Sequence, residues 1–445
     1  MWYLGLKIRT FRAGGVKPKE HKEITADKEI VNFHIPQKVI IPLLQHTGKP
    51  AKPVVKKGDI VSEAQLIGEK DGKISANVHS SIPGRVVDIG NYPVLNNLKT
   101  PCIVIKLEGE FKIGAPPKDD WERLDRKEIL KRIEDAGIVG MGGAAFPTDV
   151  KYSPPPDKKV DTLIINGVEC EPYLTTDYRL MLEKTDEILE GIKIAKKILN
   201  VEKVFIGIEL NKKKAIKKFK ESIPVKENIF VVPLKVKYPQ GAEKQLIKAI
   251  LDREVPSGGL PFDVGVIVSN VATIYAIREA VLYKKPLIER VITVTGKIVK
   301  NPGNYKIRIG TPISDIIQEV GVTENIGKII IGGPMMGISV STADIPVTKG
   351  TSGILFLSEK EAKKVNYSNF KACIHCAKCV FVCPMGLNPS MLSILGEMEK
   401  WDDMTKFNIL DCIECGSCSF VCPAQRPIVQ FIKTGKVFLK FRKER

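Results

Sequence analysis

Two stretches of the chain repeat one pattern: Cys373-Ile374-His375-Cys376-Ala377-Lys378-Cys379-Val380-Phe381-Val382-Cys383-Pro384 and Cys412-Ile413-Glu414-Cys415-Gly416-Ser417-Cys418-Ser419-Phe420-Val421-Cys422-Pro423. Each reads Cys-x2-Cys-x2-Cys-x3-Cys-Pro, and the second begins 39 residues after the first. Eight cysteines at fixed spacing within fifty residues read as metal ligands rather than disulfides. A tight loop presents three thiolates to one cubane cluster, the proline turns the chain away, and the fourth cysteine of each run reaches the other cluster. Cys373, Cys376, Cys379 and Cys422 are therefore expected to hold one [4Fe–4S] cluster, and Cys412, Cys415, Cys418 and Cys383 the second. Zinc, the competing ligand of paired cysteines, prefers two separated Cys-x2-Cys pairs, and two complete copies ending in Cys-Pro favour iron–sulfur. His375 reads as a spacer or hydrogen-bond donor and Cys102, in an apolar strand, as a small buried hydrophobe.

This is the pattern of bacterial two-cluster ferredoxins, so residues 360–445 are expected to form a ferredoxin-like domain with a basic tail. Such a module passes single electrons and needs a partner for two-electron chemistry. The rest of the chain alternates helix and strand from residue 116 to 286, which implies a parallel sheet covered on both faces. The expected elements include a helix Arg126–Ala136, a strand Val160–Asn166, one long helix Tyr178–Leu199, strands Lys203–Glu209 and Asn228–Leu234, a strand Phe262–Ser269 and a helix Val271–Tyr283. Residues 287–350 read as a compact β-grasp-like unit. Residues 1–115 read as an N-terminal segment and a small β module of short β-branched runs, bounded by the linker Ala115-Pro116-Pro117. The fold class expected is thus multidomain α/β plus α+β. Val54–Ile67 followed by Ser75–Ile89 resembles the barrel-sandwich fold of biotinyl and lipoyl carriers. The carrier lysine falls near Ser75, with Lys70 and Lys73 out of register, so the fold is expected without that function.

The chain has 445 residues, with 69 Lys plus Arg against 51 Asp plus Glu, a formal charge of +18. That balance suits phosphate-bearing ligands, an acidic protein, an anionic membrane surface or nucleic acid. No helix-turn-helix, aromatic RNA-binding pattern or concentrated basic stripe supports nucleic acid. No stretch reaches the roughly 18 to 20 apolar residues of a membrane span, and Lys7, Arg9 and Arg12 interrupt any signal-peptide core. The expectation is a cytoplasmic protein, at most peripheral to a membrane. The segment Lys433–Arg445 is strongly basic and reads equally as a contact with membrane or partner and as a solvated tail.

Gly137-Ile138-Val139-Gly140-Met141-Gly142-Gly143-Ala144-Ala145-Phe146-Pro147-Thr148 follows a helix and precedes Lys151. Its glycines let backbone N–H groups approach a phosphate or a flat ring. Asn166-Gly167-Val168-Glu169-Cys170-Glu171-Pro172-Tyr173 lies at the carboxyl end of an expected strand, where α/β sheets bind ligands. Together with Ser269-Asn270-Val271-Ala272-Thr273 and Tyr238-Pro239-Gln240-Gly241-Ala242-Glu243, these strings resemble the flavin- and NADH-binding subunit of respiratory complex I. Residues 292–321 look like the SLBB domain of that family. The resemblance is closer still to the RnfC family of Rnf electron-transport complexes, on Gly14-Gly15-Val16, the sandwich module, Glu169–Tyr173, Gly332-Gly333-Pro334-Met335-Met336-Gly337 and the two-cluster tail.

The resemblance implies an FMN/NADH-binding parallel-sheet domain in which Gly140, Gly142, Lys151, Asn166, Glu169, Tyr238, Glu243 and Asn270 contact FMN. It implies that Phe146 and Glu171 contact NAD(H), by stacking and by hydrogen bonding. Met141, Val168 and Ala242 stand where complex I has Arg, Asp and Glu. The implied activity is that of the peripheral subunit of an ion-translocating ferredoxin–NAD⁺ oxidoreductase, at the cytoplasmic face of the inner membrane. Its implied partners are NAD(H), integral membrane subunits and, indirectly, ferredoxin. Two other readings stay open: a soluble flavin and iron–sulfur reductase such as a cobalamin reductase, and an electron relay that binds no NADH.

Overall fold

In a computed structural model, the structure describes residues 2, 3, 5–95, 98–111, 118–224, 226–363 and 370–443. The linker Ala115-Pro116-Pro117 and the last two residues of the basic tail, Glu444 and Arg445, lie outside the described residues.

The N-terminal module is a small sandwich. Lys38–Pro42, Lys99–Leu107, Gly84–Pro93 and Ile60–Val61 form an antiparallel sheet in that order, and Lys52–Pro53, Leu66–Glu69 and Val78–His79 form a second. Alternate residues Val39, Ile41, Ile103 and Ile105 point inward with Ile67 and Val86 to make its core, as the period of two requires. Ser75, at the carrier-lysine position, is fully buried, and its hydroxyl donates to the Lys49 carbonyl at 3.0 Å.

Two histidines of this module are buried without charge. Burial pushes His79 down to about 3, and among the described residues its Nδ1 has no hydrogen-bond partner. Burial and the nearby Lys349 push His46 down to about 4. An imidazole whose folded pKa lies below its unfolded value near 6.5 binds fewer protons folded than unfolded. Its cost is absent above pH 6.5 and grows as pH falls toward the folded pKa. Replacing His79 with Leu removes both the unpaired nitrogen and this acid liability. Thermal unfolding is expected to shift by less than about 3 °C at pH 7.5 and to rise above the parent at pH 5.

The second module is a parallel sheet with strand order Ile229–Leu234, Lys203–Glu209, Thr162–Asn166, Val266–Asn270. Its central strands are buried on both faces, which is why they read as continuous apolar runs. Leu163 and Ile165 pack with the helices Arg126–Asp135, Thr185–Leu199 and Val271–Tyr283, whereas Ile164 faces the helix Glu243–Leu251. Two expectations are corrected. The single helix Tyr178–Leu199 is two, Thr176–Glu183 and Thr185–Leu199. They part at Lys184 (φ −128°, ψ 36°), where the Thr185 hydroxyl donates to the Met181 carbonyl at 2.6 Å. The strand expected at Phe262–Ser269 begins only at Val266, because Pro261–Val264 forms a 3₁₀ turn closed by Gly265 at φ +76°.

The third module is a six-stranded sheet in the order Ile338–Val340, Ile326–Ile331, Gly353–Ser358, Glu289–Thr295, Gly303–Arg308, Ile30–Asn32, with the helix Ile313–Val320 against it. Its last strand comes from the N-terminal segment, which therefore ties the first module to the third.

The cysteine module shows its repeat in the backbone. Residues 39 apart share left-handed φ angles: His375 and Glu414 (54° and 55°), Ala377 and Gly416 (58° and 79°), Gly386 and Gln425 (66° and 50°). Helices Lys378–Phe381 and Ser417–Phe420 follow, and then Pro389–Glu397 packs on Ile428–Lys443. Among the described residues no helix of the chain is long and apolar enough to cross a membrane.

Candidate functional site

The eight cysteines sort into two cavities. Cys383, Cys412, Cys415 and Cys418 line an empty volume of about 350 Å³ with Met385, Leu387 and Ile432. Cys373, Cys376, Cys379 and Cys422 line a second of about 370 Å³ with Ser393, Ile428 and Arg426. Each set combines three cysteines of one run with the last of the other. The four sulfurs surround a volume rather than converge, and among the described residues no group of three or more Cys, His, Asp or Glu is gathered around a single-ion position. Burial pushes the Cys412 thiol up to about 11 and raises Cys379, Cys415 and Cys418. Four neighbouring thiolates in an apolar cavity need a compensating cationic core. The donor set and its number fit a cubane cluster.

The two cavities differ in what surrounds them. The first faces the parallel-sheet module. Tyr238 donates from its hydroxyl to the Cys415 carbonyl at 2.7 Å, and Gln245 Nε2 donates to the Pro384 carbonyl at 3.1 Å. Gly15 N donates to the Val382 carbonyl at 2.8 Å. Gly14, at φ +60°, lies so close that a Cβ there would sit 2.5 Å from the Cys383 carbonyl oxygen, so only glycine fits. The second cavity faces outward: Cys376 is exposed, Ile374 is 64% exposed, and Phe381, in the same run, is 78% exposed. We refer to them as the inner and outer cavities.

At the carboxyl edge of the parallel sheet, Asn166 and Asn270 are register partners on adjacent strands. Asn166 Nδ2 donates to the Gly241 carbonyl at 2.8 Å. Asn270 caps the Val271–Tyr283 helix, its Oδ1 accepting from Ala272 N at 2.8 Å, and its Nδ2 donates to Asp177 at 2.7 Å. The glycine-rich loop folds over this helix start. Gly140 N donates to the Phe146 carbonyl at 2.9 Å, Met141 N to the Thr273 hydroxyl at 2.9 Å, and Gly142 lies against Asn270. Gly142, Gly143 and Ala144 are exposed and Phe146 is half-buried. Open glycine backbone at the first turn of a 13-residue helix is a place where an anion is stabilised. The residues present fit a nucleotide phosphate.

The first module braces this loop from behind. Thr47 donates from its hydroxyl to the Ala144 carbonyl at 2.6 Å, and Lys70 bridges Glu134 at 2.6 Å and Asp149 at 3.1 Å.

The remaining expected residues divide. Lys151 pairs with Glu243 at 2.7 Å, half-exposed at the edge of the same region. Glu169 is buried and turned toward a helix start, accepting from Asp177 N at 2.7 Å and Tyr178 N at 3.3 Å; burial raises it to about 7. Glu171 accepts from Met335 N at 3.1 Å and Met336 N at 2.8 Å and lies 3.4 Å from the Tyr238 hydroxyl, whose proton goes to the Cys415 carbonyl; burial raises Glu171 as well. Glu171 and Tyr238 therefore sit with the turn Gly332–Gly337 beside the inner cavity, while Gly140, Gly142, Phe146 and Asn270 gather at the glycine-rich loop. No hydrogen bond among the described residues joins Phe146 to Glu171.

Sequence reasoning missed several charged residues that hold this region. Lys22 donates to the Glu171 carbonyl at 2.9 Å and to the Leu174 carbonyl, and lies 4.0 Å from Glu169. Lys212 donates to the Val168 carbonyl at 2.7 Å and lies 3.8 Å from Glu209. Asp177, Arg290 and Lys349 complete the set. The bonds from Lys22 and Lys212 to these carbonyls join segments far apart in the chain, so no local pattern announces them. Lys212, one residue beyond a strand-end Glu-Leu-Asn, was the nearest to a signal.

Four family descriptions match the chain: RnfC barrel sandwich hybrid domain over residues 10–110, Nuo51 FMN-binding domain over 133–279, SLBB domain over 291–339, and 4Fe-4S dicluster domain over 365–423. They are the expected four modules in the expected order. Among curated relatives, a subunit of the proton-translocating ferredoxin:NAD(+) oxidoreductase complex of Clostridium ljungdahlii is 53% identical, across 96% of this chain and 93% of its own. The counterpart from the Na(+)-translocating complex of Acetobacterium woodii is 46% identical, across 97% and 98%. A subunit of the ion-translocating oxidoreductase complex of Rhodobacter capsulatus is 42% identical, across 97% and 84%. Among solved structures, an NAD+-reducing [NiFe]-hydrogenase in the H2-reduced state has a TM-score of 0.52 at 17% identity, over 72% of this chain and 64% of its own, a likeness of fold.

Proposed function

We propose, from the premise that this chain belongs to the RnfC family of ion-translocating ferredoxin:NAD(+) oxidoreductase complexes, that it is the peripheral subunit through which such a complex exchanges electrons with NAD(H). FMN and two [4Fe–4S] clusters are its cofactors, as its FMN-binding and 4Fe-4S dicluster domains require. When bound, the flavin supplies the link between two-electron hydride chemistry and one-electron transfer. The chain's own residues bind and orient.

In this reading Gly140, Gly142, Lys151, Asn166, Glu243 and Asn270 hold FMN at the sheet edge, with its phosphate at the Val271–Tyr283 helix start. Phe146 supplies a half-buried ring for the nicotinamide nucleotide. Glu169, Glu171 and Tyr238 act one layer out. Glu169 fixes the helix that presents Asp177 to Asn270. Glu171 and Tyr238 lock the turn Gly332–Gly337 and the Cys415 loop against the nucleotide domain. Cys383, Cys412, Cys415 and Cys418 hold the inner cluster, and Cys373, Cys376, Cys379 and Cys422 the outer one. The working division of the chain is 1–115, 116–286, 287–350 and 360–445, with the third module extended past 350 to take in its strand Gly353–Ser358. The outer cavity, lined by the exposed Cys376 and Ile374, is where the next electron carrier of the complex approaches. This chain lies peripherally at the cytoplasmic face of the inner membrane, ferredoxin is reached through other subunits, and integral membrane subunits perform the ion transport.

The observation that carries this reading is the hydrogen bond from Tyr238 to the Cys415 carbonyl, which joins the nucleotide domain to a cavity of four thiols. The test is anaerobic reconstitution of the chain with iron, sulfide and FMN, then NADH in the presence of a viologen acceptor. NADH-dependent viologen reduction that requires FMN is the expected result. Reconstituted clusters and bound FMN with no response to NADH would favour the relay without a nicotinamide site.

A further inference from the structure

Two cations are buried behind the glycine-rich loop, and among the described residues no carboxylate is bonded to either. Arg290 and Lys349 are 3% and 1% exposed. Arg290 donates from Nη2 to the Met141 carbonyl at 3.3 Å and from Nη1 to the Lys349 carbonyl. Lys349 donates from Nζ to the Gly137 carbonyl at 2.7 Å and to the Asn77 carbonyl at 2.6 Å. The carboxylate that Arg290 senses is Asp177, whose Oδ2 is already taken by Asn270. The titratable groups near Lys349 are His46 and His79, both held neutral. A buried cation balanced only by carbonyl dipoles is costly, and packing alone is served better by an apolar side chain of similar size.

Both cations act on one loop. In a trans peptide the carbonyl and the following N–H point in opposite directions. Fixing the Met141 carbonyl on Arg290 therefore turns the Gly142 N–H away from the core. Gly142 is exposed, and its N–H has no acceptor among the described residues. Thr273 pins the other side of Met141 through its N–H. An outward N–H at a helix start, on the open side of the loop, is thus backed by two buried positive charges on its core side.

We propose that Arg290 and Lys349 are positioning residues that orient the glycine-rich loop and supply the positive field that binds the phosphate of the flavin nucleotide. This rests on the reading that the loop holds FMN. Burial lowers Lys349 to about 7 and Arg290 to about 10. The arginine therefore carries its charge throughout the neutral range, and a bound anion favours protonation of the lysine.

The test compares FMN with riboflavin, which lacks the phosphate, by flavin-fluorescence titration of the full chain with its clusters in place. Arg290→Gln removes the charge and keeps a polar, shorter side chain. It is expected to weaken FMN about tenfold or more and riboflavin less than about threefold. Lys349→Met is expected to do the same, and Arg290→Lys to stay within about threefold of the parent for FMN. Equal losses for the two flavins would show a merely structural role and overturn the proposal. Unchanged FMN binding in Arg290→Gln would overturn it too. Failure of the parent itself to bind FMN would overturn the flavin-site reading, and the proposal with it.

Discussion

Cys418→Ala is expected to prevent NADH from reducing either cluster, whereas Cys379→Ala is expected to remove only the outer cluster and leave the inner one reducible by NADH. The asymmetry follows from the way the modules dock. The cysteine module meets the rest of the chain at its inner loops: Tyr238 bonds Cys415, Gln245 bonds Pro384, Gly15 bonds Val382, and Gly14 lies against Cys383. The outer cavity turns its exposed Cys376 and Ile374 away. Electrons entering at the nucleotide domain therefore meet the inner cavity first. In Cys418→Ala the outer set keeps all four ligands, so dithionite still reduces that cluster while NADH does not. In both variants iron content falls by about half and bound FMN is unchanged. Electron paramagnetic resonance after NADH and after dithionite reads the difference. NADH-reducible signal in Cys418→Ala equal to that in Cys379→Ala would mean that the nucleotide domain addresses the outer cluster directly.

Gly142→Val is expected to lower FMN affinity by about a hundredfold or more while leaving the iron content intact. A Cβ at this position would lie 2.8 Å from Asn270 Nδ2 and 3.0 Å from its Cβ. Relief requires either the loop or Asn270 to move. Asn270 has little freedom, because it caps the Val271–Tyr283 helix and donates to Asp177. Losing that cap alone costs about 1 kcal/mol, and displacing the loop withdraws the Gly142 N–H from the ligand. The clusters belong to a separate core formed by Leu392, Met404, Ile409, Ile428 and Ile432, so they assemble regardless. Equilibrium dialysis of FMN with iron and sulfide assays on the same sample checks both halves. Simultaneous loss of flavin and iron would contradict the modular account.

What was legible in the sequence is what local chemistry dictates. The cysteine spacing sorted the ligands into the two sets that line the two cavities, because a short loop can present three sulfurs to one cube and no more. The apolar strand Val160–Asn166 put Asn166 at the carboxyl edge of the sheet, whereas Asn270 came from the family resemblance, and only the strand register pairs the two. The break at Lys184 was hidden, since both helices share the apolar periodicity and only the backbone angles there separate them.

The partners of Glu171 and Tyr238 were hidden for a different reason. Both project from the nucleotide domain, yet their bonds are to Met335, Met336 and the Cys415 carbonyl, contacts that exist only after three modules have docked. The formal charge of +18 also reads differently now. Lys22, Lys212, Arg290 and Lys349 contribute to it but are buried against carbonyls around the site. Part of the excess is internal, held against carbonyls rather than displayed on a nucleic-acid surface.

The most direct test of the account is rapid anaerobic mixing of NADH with the reconstituted wild-type chain, with absorbance followed through time. The account predicts loss of flavin absorbance first, then loss of cluster absorbance in two phases, inner before outer. Cluster bleaching that precedes any flavin change, or that proceeds equally in protein stripped of FMN, would contradict it.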